Sequence, residues 1–264
     1  MGHQYNRPMK NPSAGDAGGH SAIKVPEVVF LFWIIKIAAT TLGETGGDAV
    51  SMSMNLGYLV GTAIFAAIFI AMVVAQILAK RFHPMLYWGT IIASTTVGTT
   101  LADYATRDIG IGYAGGSILL AALLAASLAA WKFTLGTVSI TSVSSPRAES
   151  FYWLTIMFSQ TLGTALGDWT ADSGLGYQGA ALVFSAMIAV VAVLYFATRT
   201  SHVVLFWAAF ILTRPLGAAV GDLLDKPVAS GGLALSRYTA SAVLFAFIAA
   251  CVLFFPHRAA KSAH

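Results

Sequence analysis

The sequence predicts an all-α integral membrane protein of eight transmembrane helices, arranged as four parallel two-helix repeats, and three observations carry that prediction. Of 264 residues, 57% are hydrophobic and only 10% are charged, against about 25% charged in an ordinary soluble domain. The mean hydropathy is +0.75, and the apolar residues gather in blocks of about 20, enough for a helix to cross roughly 30 Å of hydrocarbon. Those blocks recur in four units that share the same spaced residues.

The units align on tryptophan. The segments FWIIKIAATTLGETGGD, YWGTIIASTTVGTTLAD, YWLTIMFSQTLGTALGD and FWAAFILTRPLGAAVGD begin at Phe32, Tyr87, Tyr152 and Phe206. Ten residues after Trp33, Trp88, Trp153 and Trp207 come Gly43, Gly98, Gly163 and Gly217, and fifteen residues after them come Asp48, Asp103, Asp168 and Asp222. A second apolar block follows each motif, opening on Gly57-Tyr58, Gly112-Tyr113, Gly176-Tyr177 and Gly231-Gly232. Each unit therefore reads as a two-helix hairpin.

The expected spans are 27–47, 57–79, 84–103, 112–131, 149–168, 176–197, 202–221 and 233–255. They divide the chain into a flexible tail (1–25), repeat 1 (26–80), repeat 2 (81–132), an inter-half loop (133–148), repeat 3 (149–198), repeat 4 (199–256) and a tail (257–264). An even number of spans per unit sends all four motif helices the same way across the bilayer and brings the aspartates out on one side. The motif helices are expected to form an inner cluster, with the Ala/Leu-rich second helices outside it.

Charge sets the expected orientation. Arg7, Lys10, Lys24, Lys80, Arg81, Lys132, Arg147, Arg199, Arg258 and Lys261 fall on the side of the termini, against Arg107, Lys226 and Arg237 opposite. Both termini are thus expected in the cytoplasm, with the chain multi-pass in a bacterial inner membrane. The net charge of +4 is scattered between apolar blocks, so nucleic acid is not an expected partner. The polar first 25 residues lack the apolar core of a signal peptide. The single cysteine, Cys251, excludes a disulfide framework or a cysteine metal site.

On the quoted motifs the chain resembles a family of bacterial membrane proteins of unknown function, built from four tandem two-helix transmembrane repeats that each carry a tryptophan and a Gly-rich segment ending in Asp. The resemblance covers residues 27–255 and implies that architecture without an activity. The fourth copy departs from the pattern, with Arg214-Pro215 where the others have Thr40-Thr41, Thr95-Thr96 and Gln160-Thr161.

Each recurring position has an expected role. The aromatic pairs beginning at Phe32, Tyr87, Tyr152 and Phe206 suit an interfacial aromatic belt, a substrate gate being the other reading. Gly43 with Gly47, Gly98 with Ala102, Gly163 with Gly167 and Gly217 with Gly221 are small-xxx-small pairs that let helix backbones approach closely. Asp48, Asp103, Asp168 and Asp222 lie where the helix dipole disfavours negative charge. They therefore need partners: backbone N–H groups of the next turn, Arg107, Lys226 or Arg237, or a cation bound jointly with Glu44. Oxygen ligands suit Mn²⁺, Mg²⁺ or Ca²⁺.

Deeper charges are costly, at about 2.5–3.5 kcal/mol each at mid-span. Lys36, Glu44 and Arg214 are expected to form a buried pair or triad, acting either as static packing or as a charge switch. Thr40, Thr95 and Gln160 either bond the preceding turn or line a wet passage, and Pro215 is expected to kink the seventh span. His83, His202 and His257 make no helical ligand pair. Nucleophile-elbow and phosphate-loop motifs are absent too, so no enzyme is expected.

The functional expectation is a small secondary transporter or exporter of an inorganic cation. A divalent metal such as manganese is preferred, proton coupling is compatible, and Glu44, Asp48, Asp103, Asp168 and Asp222 would be the ion ligands. The alternative is a non-transporting scaffold or accessory subunit. Expected partners are the lipid bilayer, a small inorganic ion and a second copy of the chain. Beyond a bound divalent cation no cofactor is expected.

Overall fold

The computed structural model describes residues 23–261, where the regular elements are helices apart from one isolated bridge between Pro26 and Ala259. The helices are α1 (Phe30–Asp48), α2 (Gly57–Leu78), α3 (Pro84–Asp103), α4 (Gly112–Leu135), α5 (Pro146–Thr170), α6 (Gly176–Ala197), α7 (His202–Asp225) and α8 (Arg237–Phe254). Their ends follow local chemistry. Pro84 and Pro146 occupy first-turn positions, where no N–H is needed. The Ser145 and Ser236 hydroxyls accept from the backbone N–H groups of Ala148 and Thr239. Gly136 closes α4 in the left-handed region at φ 77°.

Three motif helices do not stop beside their aspartate. Each of α1, α3 and α5 runs on into a five-residue π-helical turn, Ala49–Ser53, Tyr104–Asp108 and Ala171–Leu175. The carboxylates of Asp48, Asp103 and Asp168 therefore project from continuous backbone rather than from frayed helix ends. Helix α7 also passes unbroken through Pro215.

By length and composition, five helical segments can cross a membrane: α2, α4, the run Pro146–Ala197 that joins α5 to α6, α7 and α8. Helices α1 and α3, rich in hydroxyls and glycines, fall outside that group and are packed inside the bundle. α1 contacts α3, α3 contacts α5, α5 contacts α7, and α7 returns to α1, closing a ring of four. Their polar residues are largely buried, many within the ring and some, such as Thr45 and Thr155, against Ser241 of α8 and Ser127 of α4.

Glycine sets the ring's register. A Cβ on Gly43 would overlap Thr95, one on Gly98 would meet Gln160, one on Gly163 would overlap Arg214, and one on Gly217 would overlap Thr40. One turn further on, Gly47 faces Thr99, Gly167 faces Ala218 and Gly221 faces Glu44. Both partners advance by four residues in these contacts, so the neighbouring helices run parallel. The repeat thus becomes a pseudo-fourfold ring in which each unit's glycines receive the next unit's side chains.

The hairpin expectation is corrected. Helix α2 packs on α3, α4 on α5, α6 on α7 and α8 on α1, whereas the two helices of one unit hardly touch. The π-helical turns after α1, α3 and α5, and the connection after α7, carry each second helix outward onto the neighbouring unit.

The aromatic-belt expectation is corrected as well. Trp88, Trp153 and Trp207 are buried, as are Phe32, Tyr87 and Tyr152. The first aromatic of each pair meets the tryptophan of the next unit: Phe32 with Trp88 at 5.4 Å, Tyr87 with Trp153 at 5.7 Å, Tyr152 with Trp207 at 6.3 Å and Phe206 with Trp33 at 5.9 Å. The ring geometry, not the lipid interface, accounts for them, because edge and tilted contacts between aromatics add to the burial of their large surfaces. The Tyr87 and Tyr152 hydroxyls share a hydrogen bond of 2.6 Å inside this plug.

Of the expected flexible tail over 1–25, residues 1–22 lie outside the described residues, and its last residues are packed. Lys24 Nζ donates to the carbonyls of Gln76, Ile77 and Ala79, which closes the end of α2, and pairs with Glu149 Oε1 at 2.6 Å. Glu27 N donates to Arg258 O and Ala260 N to Val25 O, tying the two ends of the described chain together. Of the expected tail over 257–264, residues 262–264 lie outside the described residues.

Candidate functional site

The four repeated aspartates converge at the end of the ring opposite the aromatic plug, and all are buried. Arg107 pairs with Asp103 at 2.9 Å and with Asp168 at 3.1 Å. Lys226 pairs with Asp222 at 3.0 Å and donates to Asp48. Arg237 pairs with Asp225 at 3.0 Å and lies 3.8 Å from Asp48. Each cation thus serves more than one carboxylate, and Arg107 and Lys226 each bridge two repeats. Burial by itself would lower the Lys226 ammonium, but Asp222, Asp48 and Asp225 around it hold its proton well above the ordinary lysine range. Burial likewise opposes the Arg107 charge, and Asp103 and Asp168 outweigh it.

Glu44 is the hub of this cluster. One oxygen from each of Glu44, Asp48 and Asp103 lies within 4.8 Å of the others, and the same holds for Glu44, Asp168 and Asp222 and for Asp48, Asp222 and Asp225. Through Glu44 the cluster joins one aspartate from every repeat. These oxygens are the residues' only means of holding a metal ion, and hard divalent ions accept such a set.

Below the cluster, Arg214 Nη2 donates to Glu44 Oε2 at 2.9 Å, with both side chains buried. The guanidinium also donates to the hydroxyls of Thr99 and Thr164 and to Thr40 O. It therefore reaches all four motif helices. Thr99 and Thr164 stand at the Glu44 position of their own repeats, so the repeat offset that singles out Glu44 also marks them.

Of the expected pair or triad, the structure holds the Glu44–Arg214 pair without Lys36. Lys36 is fully buried, but its Nζ has no hydrogen-bond partner and lies 4.1 Å above the Phe210 ring. Phe210 occupies the Lys36 position of the fourth repeat, and the parallel register places lysine and ring at the same height. Arg214, a turn further on, takes Glu44 for itself because Gly163 leaves space for its stem.

The hydroxyls expected to bond backward or to line a passage do the first and also cross between helices. Thr40 Oγ1 donates to Ile37 O or Thr213 O, and Thr95 Oγ1 to Ile92 O or Ala39 O. Gln160 Nε2 donates to Ser94 Oγ at 3.5 Å. Four buried polar atoms along this stretch have no partner among the described residues: Lys36 Nζ, Ser159 Oγ, Gln160 Oε1 and Arg214 Nε.

Four consecutive segments, residues 31–82, 86–137, 151–201 and 205–258, match the family described as a Repeat of Unknown Function (DUF347). No curated protein and no solved structure matches the chain.

Proposed function

The chain belongs to the DUF347 repeat family, and we propose that this four-repeat protein is a small secondary transporter or exporter of an inorganic cation, a divalent metal such as manganese being the preferred substrate. In this reading all eight helices cross the bacterial inner membrane, with both termini cytoplasmic and the carboxylate cluster towards the outer side.

The convergence of Glu44 with an aspartate from each repeat carries the proposal. With Glu44 paired to Arg214, five aspartates (Asp48, Asp103, Asp168, Asp222 and Asp225) face three cations (Arg107, Lys226 and Arg237). With all five carboxylates ionised, the surplus of two negative charges corresponds to one divalent ion. Intramembrane carboxylates that exchange basic partners for an ion or a proton are a common transport device. Here Arg107 and Lys226 occupy the carboxylates when no ion is bound, and an entering cation displaces them.

Flux into proteoliposomes loaded with a metal-sensitive dye tests this reading. Glu44→Gln is expected to abolish Mn²⁺ entry, and unchanged flux overturns the assignment. A second reading, a non-transporting scaffold, draws support from the full salt-bridging of the motif aspartates and from the close glycine packing. It predicts no flux for the unaltered protein and stable co-purification of a partner.

A further inference from the structure

We infer that the ring holds a second, separate site, for a small monovalent anion such as chloride, centred on Lys36 and lying on the aromatic-plug side of Glu44. The inference is independent of cation transport. It starts from the charge left over there: Lys36 and Arg214 are both fully buried, and Glu44 neutralises only one of them.

The unpaired atoms belong to residues three, six and seven positions after their own tryptophans, within about one helical turn in register. Lys36 precedes Thr40 by four residues on α1, and Thr40 O accepts from Arg214 Nη1. Phe210 precedes Arg214 by four on α7 and lies under the Lys36 ammonium. Both cations therefore line the same α1–α7 seam, one turn apart. On the other flank of Arg214, Gly163 of α5 packs against its stem. Ser159 stands one turn before Gly163 and occupies, for Arg214, the place that Ser94 occupies for Gln160. Gln160 fills that place with a hydrogen bond to Ser94, whereas Ser159 Oγ and Arg214 Nε are both left without a partner.

An ammonium at mid-membrane is stable in its charged form only with compensation. The Phe210 ring face supplies part of it, since a cation above an aromatic ring is favoured and a neutral amine gains little there. When Lys36 is protonated, the remaining donors, its ammonium, Arg214 Nε and the Ser159 hydroxyl, carry a single surplus positive charge. A halide matches that set in sign, charge and size, and asks no directional geometry of it.

Bromide soaked into crystals of the full-length protein provides the direct test, by its anomalous scattering. A peak beside Lys36 is expected, and its absence there overturns the inference. In detergent, replacing gluconate by saturating chloride or bromide is expected to raise the thermal midpoint by roughly 3 °C. Lys36→Met is expected to remove that rise and Ser159→Ala to weaken the halide dependence several-fold. An equal rise in Lys36→Met overturns the inference, as does a halide-independent midpoint in the unaltered protein. If Lys36→Met does not fold, the anomalous map and the Ser159→Ala titration still decide.

Discussion

Arg214 of the fourth repeat and Glu44 of the first are joined by a buried 2.9 Å ion pair that closes the ring of four helices between its last member and its first. Removing one partner leaves the other charge buried and unpaired, at a cost of about 3–5 kcal/mol. Arg214→Met alone is expected to destabilise by that amount. The double variant Arg214→Met with Glu44→Gln is expected to recover a large part of it. Denaturant unfolding of the four proteins in detergent closes the cycle, and additive losses would show that the pair is not coupled.

Glycines that look alike in the sequence are predicted to differ sharply on substitution. Gly163→Ala drives a methyl into the Cβ and Cγ of Arg214 and the ring of Pro215, and is expected to destabilise by about 1–3 kcal/mol. Gly46 has its nearest foreign atom at 3.9 Å, in ordinary contact. Gly46→Ala is therefore expected to be neutral, or stabilising by up to about 1 kcal/mol through helix propensity. Thermal midpoints of the two variants make the comparison.

The packing across units predicts how the protein behaves when cut. Because α4 packs on α5 and α8 on α1, severing the chain between Gly136 and Ser145 separates two halves that each lack two outer contacts. Each half expressed alone is expected to be degraded. Co-expressed halves are expected to co-purify through a tag on either one, and stable accumulation of a lone half would contradict the interlocked ring.

Lys226 supplies a pH prediction. Its ammonium is held above its unfolded value of about 10.4. Such a group contributes stability that is complete below the unfolded value and is lost only as pH rises towards the folded one. The stability gap between the unaltered protein and Lys226→Met is expected to stay constant from about pH 7.5 to pH 9.5 and to narrow above about pH 10.4. A gap that already closes by pH 9 would mean that the aspartates do not hold the proton.

How much of this was legible beforehand differs by kind. The fixed offsets from tryptophan to glycine and aspartate already marked the equivalent positions, and the eleven-residue offset that singles out Glu44 also marks Thr99 and Thr164. The same offsets were silent on whether Trp88 and Trp153 face lipid or each other, since an apolar aromatic near a helix end suits both. They could not tell a triad from a pair either. Lys36 and Arg214 are one turn apart in register, and only the space left by Gly163 decides which of them reaches Glu44.

The sequence by itself determined the all-α class, the four units and their common polarity, because periodic apolar blocks and repeated offsets depend only on local order along the chain. The tertiary structure alone decided that each second helix leaves its own unit for the next. It also decided that the aromatics form a plug, and that Arg107 and Lys226 each bridge aspartates of two repeats. The aromatic and ion-pair contacts between repeats join residues more than 50 positions apart. They are set by which small residue gives way to which large side chain, a matter of shape complementarity that no single repeat contains.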